Sequence, residues 1–205
     1  MTSVPPKTRI QKRNREIILE AALEVFSTHG FRGATLDQIA QEAGLSKPNV
    51  LYYFASKEAI HSALLDGLMD TWLAPLHELD SAGEPVEELV GYVLHKLRLA
   101  RDFPRESRLF ANEIVQGAPR IRDQIEGPLK ALVDEKAAQI AAWARAGRLA
   151  PVDPHHLIFS IWATTQHYAD FDAQVRGILG PDDPAHFDNA AAFLTEFYRR
   201  ALTPD

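Results

Sequence analysis

The stretch LSKPNVLYYFASKEA holds side chains that could bind a polyanion. Lys47 supplies a positive charge, Asn49 can both donate and accept hydrogen bonds, and Tyr52 and Tyr53 stand side by side. Amide side chains bond the edges of nucleic-acid bases, while hydroxyl and ammonium groups bond phosphate oxygens. These residue types at this spacing predict nucleic-acid binding, provided that one helix presents them on a common face.

The charge of the chain is distributed unevenly around this stretch. Its formal net charge is −6, yet residues 1–60 carry 8 basic and 6 acidic residues, which leaves +2. Residues 61–205 carry 14 and 22, which leaves −8. Five basic residues precede the first acidic one: Lys7, Arg9, Lys12, Arg13 and Arg15. A polyanionic partner at the N-terminal end is predicted, with a basic tail that only aids solubility as the alternative.

Helices must position these side chains, because the strand signals, β-branched alternation and Asn-Gly or Asp-Gly hairpins, are absent. Apolar residues recur at helical spacing along most of the chain, so an all-α fold is predicted. About nine helices are expected, at approximately 14–29, 35–43, 46–55, 56–79, 85–103, 105–116, 120–146, 154–175 and 184–202.

The second and third of these helices carry clear start and stop signals. Thr35 and Gln38 have the spacing of a capping box, and Gly44 ends the helix that they begin. Ser46 is the expected N-cap of the third helix, and Pro48 falls in its first turn, where a missing N–H does no harm. Two short helices joined by a tight turn and packed on a preceding helix form a helix-turn-helix.

A helical wheel of the third helix separates two faces at about 100° per residue. Val50, Leu51 and Phe54 are predicted to form the buried face. The opposite face carries small, polar or hydroxyl-bearing side chains, namely Pro48, Asn49, Tyr52 and Tyr53. Such a face suits the major groove of DNA.

The stretch AALEVFSTHGFRGATLDQIAQEAGLSKPNVLYYFASKEAI resembles the DNA-binding module of the TetR family of bacterial regulators. The resemblance covers roughly residues 13–60 and includes the pairs Gly30–Phe31 and Tyr53–Phe54. Two positions depart from the family pattern, since Leu51 stands where a tyrosine is usual and Pro48 replaces a small residue. Because Leu51 is expected on the buried face, its replacement is expected to alter packing more than DNA reading.

The resemblance implies a role in DNA binding for seven side chains. Thr35, at a helix N-terminus, is expected to bond a phosphate. The side chains expected to face the major groove are Ser46, Lys47, Asn49 and Tyr52. Tyr53 and Lys57 are expected to hold the DNA backbone beside the groove. The alternative for the tyrosines is an ordinary place in the core, and for Lys57 a solvated position.

For the whole chain the resemblance implies two helical domains. Residues 1–55 would form the basic arm and a three-helix DNA-binding domain, and residues 56–205 a domain that binds a small effector and forms a homodimer. In the family the last two long helices usually dimerise, here LIFSIWATTQHYADF and AAAFLTEFYRRAL. Two DNA-binding modules on one two-fold axis would read a palindromic operator in double-stranded DNA.

Four C-terminal segments extend the resemblance to the TetR-family regulators of pyrimidine utilisation. They are DTWLAPL, SRLFANEI, PLKALVDEKAAQIAAW and above all RLAPVDPHHLIFSIWATTQHYADF. This resemblance implies a transcriptional regulator, mainly a repressor, whose operator binding is controlled by uracil or thymine.

A pocket for uracil needs an aromatic face and paired hydrogen bonds, because the base is planar, neutral and edged by alternating C=O and N–H groups. Trp162 and Gln166 are four residues apart and therefore share a helical face, where the carboxamide can accept from an N–H and donate to the adjacent C=O. The candidate ligand-binding residues are Trp72, Arg108, Phe110, Asn112, Trp162, Gln166 and Tyr168. The tryptophans could instead be core residues, and Arg108 could pair with Glu113 or Asp102.

The helix that begins at Ser56 is expected to transmit the signal, because it joins the recognition element directly to the C-terminal body. A ligand that shifts this helix would change the spacing of the two DNA-binding modules. Pro75 is a plausible place for bending within it.

Two alternative functions stay open. The first is a TetR-family repressor that senses another small molecule, such as a lipophilic drug. The second is an enzyme of pyrimidine chemistry, but nucleophile elbow, P-loop and dinucleotide motifs are absent, so neither an enzyme nor a cofactor is expected. His167 with Asp170 supplies two metal ligands, which is too few for a metal site.

The composition excludes further classes. The 205 residues contain no cysteine, which excludes disulfides, thiolate chemistry and cysteine-ligated metals. No apolar run approaches the roughly 18 residues of a membrane span, and the N-terminal residues lack the apolar core of a secretory signal. A cytoplasmic protein without a membrane partner is expected.

Overall fold

The computed structural model of the chain describes residues 9–180, 183 and 185–204, and these residues confirm the all-α fold. The α-helices are α1 Arg9–Gly33, α2 Leu36–Glu42, α3 Lys47–Tyr53, α4 Lys57–His77, α5 Pro85–Asp102, α6 Pro104–Val115, α7 Arg122–Gln124, α8 Lys130–Arg145, α9 Pro154–Asp170, α10 Asp172–Leu179 and α11 His186–Leu202. Lys7 of the predicted basic arm lies outside the described residues. Among the described helices, none combines the length and hydropathy needed to cross a bilayer.

Two of the predicted helices are each divided in the structure, which explains why the described residues form more than nine helical segments. The helix expected at 120–146 is interrupted by a π-helical turn, Ile125–Leu129, around Pro128, which has no backbone N–H to donate. The helix expected at 154–175 ends at Asp170, because Phe171 leaves helical geometry at φ −114° and ψ 29°. α10 begins directly after it.

The signals at the helix ends of the helix-turn-helix are confirmed. Thr35 and Gln38 form the reciprocal capping box, with the Gln38 N–H donating to Thr35 Oγ1 at 3.2 Å and the Thr35 N–H donating to Gln38 Oε1 at 2.8 Å. Ser46 caps α3 through the Asn49 N–H at 3.4 Å. Gly44, at φ 64°, closes α2 in the left-handed conformation that a glycine adopts without steric cost.

The prediction that Leu51 is buried is wrong. Val50 is fully buried and Phe54 nearly so, whereas the Leu51 side chain is 40% exposed. Because α3 has only seven residues, its contact with the core is the narrow seam of Val50 and Phe54, four positions apart. Leu51 lies about 100° around the helix from that seam.

The described residues fall into two compact units. The first comprises Met1–Leu68 and Arg108–Arg120, and the second comprises Met69–Ser107 and Ile121–Asp205. Helices α4 and α6 each contribute residues to both units. The functional division at residues 55 and 56 stays a prediction.

Each unit has its own apolar core. Ile18, Phe26, Ile39, Val50 and Ile60 fill the core of the first unit with essentially no exposed surface. In the second unit, α5 packs against α9 and α11, and α8 packs against α9. Its core includes Leu76, Leu89, Val93, Ile140, Ile158 and Ile161.

Candidate nucleic-acid interface and ligand site

The exposed face of α3 carries the residues that the sequence predicts for the major groove. Ser46, Lys47 and Asn49 are exposed at its N-terminal end, and Tyr52 is 71% exposed one turn later. The burial of Val50 sets the orientation of the helix, which leaves these side chains directed to solvent. Thr35 is also exposed, at the N-terminus of α2. The two N-termini together offer backbone N–H groups of the kind that bind phosphate oxygens.

The first turns of α1 hold the two tyrosines in place. Gln11 Nε2 donates to the Tyr52 hydroxyl at 3.3 Å, and Asn14 Nδ2 donates to the Tyr53 hydroxyl at 3.0 Å. The rings of Tyr52 and Tyr53 meet edge to face with their centroids 5.1 Å apart. The sequence analysis missed Gln11 and Asn14, although their i, i+3 spacing indicates a shared helical face.

The two lysines of this surface have protein partners of their own. Lys47 Nζ lies 2.9 Å from Asp37 Oδ2, and both side chains are exposed. Lys57 Nζ donates to the backbone carbonyls of Phe31 and Ala34, each at 2.7 Å, and so closes the end of α1. Since an ammonium group has three N–H donors, Lys57 keeps one for another acceptor. Its role at the DNA backbone stays a prediction.

A buried aromatic and charged cluster lies in the same unit. The His61 ring meets Phe26 and Phe31 edge to face, at centroid distances of 4.8 and 4.9 Å. Arg120 places its guanidinium 3.5 Å from the centre of the Phe31 ring and donates to Glu113 at 2.9 Å. Glu113 is itself buried. The cluster joins α1, α4 and the end of α6, and its residues are too far apart in sequence for any local pattern to indicate it.

Polar groups also lie inside the second unit, around Trp72. The indole of Trp72 is buried, and its Nε1 has no hydrogen-bond partner within the part of the chain that the structure describes. Lys96 is buried as well, with Nζ 5.1 Å from the Trp72 ring centre and 3.4 Å from the Trp72 carbonyl oxygen. Burial lowers the pKa of Lys96 to about 7, while the charge of Asp170 opposes that shift.

Helix α9 presents Trp162, Gln166 and Asp170 at intervals of four residues, so they share one face. Trp162 Nε1 donates to the Tyr92 hydroxyl of α5 at 2.6 Å. Burial raises the pKa of Tyr92, and the bond from Trp162 acts in the opposite direction. Asp170 accepts from Ser107 Oγ at 2.6 Å. Gln166 lies on α9 between Trp162, which bonds Tyr92, and Asp170, which bonds Ser107, and it is half-buried.

The structure does not place all seven predicted ligand residues in one unit. Trp72, Trp162, Gln166 and Tyr168 belong to the second unit, and Tyr168 packs near Phe187 with ring centres 6.0 Å apart. The remaining three candidates belong to the first unit, and they are Arg108, Phe110 and Asn112. Asn112 is exposed. The part of each in ligand binding stays a prediction. The sequence analysis missed Lys96, Tyr92 and Asp170 as companions of the tryptophans.

Two cavities of the second unit flank the Tyr92–Trp162 hydrogen bond. One, of about 450 Å³, is lined almost wholly by apolar atoms and includes Leu129, Phe159 and Trp162. The other, of about 200 Å³, includes Glu78, His95 and Tyr92. The hydrogen bond therefore joins a lining residue of one cavity to a lining residue of the other.

A chain with a capped helix-turn-helix and a larger helical unit has the features of a class of bacterial DNA-binding regulator, and comparison with known families identifies that class. Residues 18–64 match the family described as "Bacterial regulatory proteins, tetR family". Residues 65–205 match "YcdC-like protein, C-terminal region" of the same family. The chain belongs to the TetR family, as its resemblance predicts.

Among individual relatives, the chain is 50% identical over 174 residues to the HTH-type transcriptional regulator RutR of Escherichia coli K12, covering 85% of this chain and 82% of RutR. The solved structure of the regulator KstR2 of Mycobacterium tuberculosis is similar at a TM-score of 0.77 and 21% identity, covering 99% of this chain and 98% of that one. AibR in complex with isovaleryl coenzyme A and operator DNA is similar at 0.73 and 21%, covering 90% and 97%. These two structures show the shared fold.

Proposed function

We propose that this TetR-family protein is a ligand-responsive DNA-binding regulator, mainly a repressor, of pyrimidine utilisation. Operator binding would be controlled by uracil or thymine. The observation that carries the proposal is the 50% identity with RutR over most of both chains, since it includes the C-terminal segments on which the resemblance to pyrimidine regulators rests.

DNA binding is assigned to the exposed face of α3 and the N-terminus of α2. Asn49 and Lys47 would read bases, whereas Tyr53 and Lys57 would hold phosphates. Tyr53→Phe or Lys57→Ala should then weaken binding to every sequence alike, and Asn49→Ala or Lys47→Ala should relax base preference. Fluorescence anisotropy with operator and scrambled duplexes separates the two effects. Affinity that does not fall as salt rises would contradict binding through phosphates.

The ligand site is assigned to the interior of the second unit. The Trp72 and Trp162 indoles offer aromatic faces, and the half-buried Gln166 offers a carboxamide that can pair with the N–H and C=O of a pyrimidine. Trp72 Nε1, which has no partner among the described residues, supplies a further donor, since a buried N–H without a partner costs about 1–3 kcal/mol. A ligand carbonyl would remove that cost.

The switch is assigned to α4, which begins four residues after α3 and continues into the second unit. A ligand that binds one position of α4 better than another would shift the DNA-binding modules between two spacings. Pro75 lies inside α4 and leaves one helical hydrogen bond unmade. Uracil that binds without any change in operator affinity would contradict this coupling.

One observation favours a second candidate, a lipophilic effector. The atoms that line the cavity of about 450 Å³ at Trp162 and Phe159 are almost all apolar, and such a lining suits a lipophilic ligand better than a pyrimidine. A thermal-shift panel of uracil, thymine, uridine and lipophilic cations decides between the two. We expect stabilisation by the free bases, followed by a footprint that changes when the best base is added. Stabilisation by the cations alone would replace the pyrimidine proposal with the lipophilic one.

A further inference from the structure

Lys96 is an unusual residue for the interior of a helical bundle. Its surface is 3% exposed, whereas lysines are almost never fully buried without a partner. Within the described residues, its ammonium has a hydrogen bond to the Trp72 carbonyl at 3.4 Å, which is long for a charged donor. Burying an under-bonded ammonium costs several kcal/mol, so an apolar side chain would serve folding better.

Two spacings place Lys96 and Asp170 together at one level, with Gln166 one helical turn away on α9. On α5, Tyr92 and Lys96 are four residues apart, and on α9 Trp162, Gln166 and Asp170 follow at the same interval. Tyr92 bonds Trp162 at one level, and Asp170 acts on the charge of Lys96 at the other. The Gln166 carboxamide therefore lies on the helix face between the two linked levels.

We infer that Lys96 and Asp170 select the effector, with Lys96 donating to a carbonyl of a neutral pyrimidine base and Asp170 balancing its charge. This inference rests on the proposed function and identifies the residues that determine the ligand specificity of its site. Lys96 and Trp72 Nε1, which lacks a partner in the described part of the chain, are two donors that match the two carbonyl oxygens of uracil or thymine. Cytosine has an amino group in place of one carbonyl. That amino group would face the Lys96 ammonium donor to donor, so no hydrogen bond could form there.

The charge balance selects against anionic bases. An ammonium and a carboxylate sum to zero, so a neutral ligand adds no uncompensated charge to the interior. A pyrimidine carboxylate such as orotate would bring a second negative charge beside Asp170, which is costly where the surroundings are buried. Asp170 also accepts from Ser107, so its carboxylate is held in place.

The first test is calorimetric titration of the full-length chain with uracil. Lys96→Met removes the ammonium and keeps the length of the side chain, and we expect at least a tenfold loss of affinity. Lys136→Met is the matched control, because Lys136 is also buried in the second unit with Nζ 3.4 Å from a backbone carbonyl. The control should bind uracil as the wild type does.

Equal uracil affinity in wild type and Lys96→Met overturns the inference and leaves the proposed function intact. Failure of the wild type to bind any free pyrimidine overturns the proposed function itself.

The second test is a gain of binding by Asp170→Asn. With one negative charge removed, this variant should bind orotate at least tenfold more tightly than the wild type does. Unchanged orotate affinity together with normal uracil binding would remove Asp170 from the inference.

A third readout needs no variant. Because a ligand carbonyl stabilises the charged form of Lys96, uracil binding should take up a proton at pH values above about 7. The charged group that acts on Lys96 is Asp170 of α9, α4 contributes Trp72, and Tyr92 is the titratable neighbour on α5. Wild-type affinity should therefore fall between pH 7 and 8.5. If Lys96→Met does not fold, an affinity that is constant over this range overturns the role of Lys96.

Discussion

His61 is the single residue whose burial has the clearest consequence in the first unit. Its ring is packed between Phe26 and Phe31, and its Nδ1 has no hydrogen-bond partner in the described part of the chain. The pKa of His61 is lowered to about 4, mainly by burial and also by the nearby charges of Arg120 and Lys57, against the opposing effects of Glu113 and Glu58. The neutral ring is therefore the form that the fold accommodates.

Because of this histidine, we expect the free energy of unfolding to decrease as the pH is lowered. Its pKa is lower in the folded chain than in the unfolded one, so its contribution is complete above about pH 6.5 and is lost as pH falls toward 4. The loss in the free energy of unfolding is about 3 kcal/mol at most. Urea unfolding of wild type and His61→Leu between pH 4 and 7 measures it, with the exposed His29→Leu as control. Parallel pH curves for wild type and His61→Leu would contradict the burial argument.

Asp37 forms an ion pair with Lys47 and places a negative charge on the proposed DNA-binding surface, which opposes the binding of phosphates. The ion pair is exposed on both sides, so it contributes less than about 1 kcal/mol to stability. Asp37→Asn should release the ammonium for phosphate and raise the affinity for DNA of any sequence several-fold at low salt, with less gain at high salt. Anisotropy titrations at two salt concentrations test this. Glu42→Gln, at the other end of α2, is the control, and equal gains from both variants would show a general charge effect instead.

At the scale of helices, the turn between α2 and α3 depends on one glycine. Gly44 adopts φ 64°, and its N–H donates to the Gln41 carbonyl while the Leu45 N–H donates to the Ala40 carbonyl. These bonds satisfy the last carbonyls of α2 and set the start of the recognition helix. No atom of the described residues lies within 4 Å of a Cβ added at Gly44, so the backbone conformation decides the effect of a substitution.

Gly44→Ala should destabilise the protein by about 1 kcal/mol, because an L-residue with a Cβ is strained in the left-handed region. Gly67→Ala should have the opposite sign. Gly67 lies within α4, where a Cβ also meets no atom of the described residues within 4 Å, and alanine in a helix is favoured over glycine by roughly 0.5–1 kcal/mol. Thermal unfolding of the two variants in one buffer compares them. Two shifts in the same direction would show that something other than backbone conformation decides the outcome.

Local chemistry explains which helices could be predicted from the sequence. The caps at Thr35, Ser46 and Asp153 involve residues three positions apart, so the sequence indicates them directly. The exposure of Leu51 could not be read from a wheel, since it depends on which neighbour α3 packs against. The Lys57 bonds to Phe31 and Ala34 span 26 and 23 residues. Most contacts of the candidate sites likewise join residues distant in sequence, so no local pattern indicates them.

At the scale of the whole molecule, a tyrosine links α9 to α11 in the second unit, and α11 carries apolar side chains that are exposed. The Tyr198 hydroxyl of α11 lies 3.2 Å from Ser160 Oγ and 2.9 Å from Thr164 Oγ1 of α9, which joins the two helices. Phe193 and Phe197 stack with ring centres 6.0 Å apart and are 62% and 51% exposed. Exposed aromatic pairs of this kind mark interaction surfaces, and the sequence places them in the helices predicted to dimerise.

The proposed homodimer can be tested on that surface. Phe193→Glu with Phe197→Glu places two charges where a partner copy would bury two rings, so the variant should sediment as a monomer of 22.9 kDa while the wild type sediments at twice that mass. A monomer has one DNA-binding module, so its affinity for a palindromic operator should fall at least a hundredfold while half-site binding persists. Ile178→Glu, an exposed apolar position on α10, is the control for added surface charge and should remain dimeric. A double variant that still sediments as a dimer with full operator affinity would place the interface elsewhere.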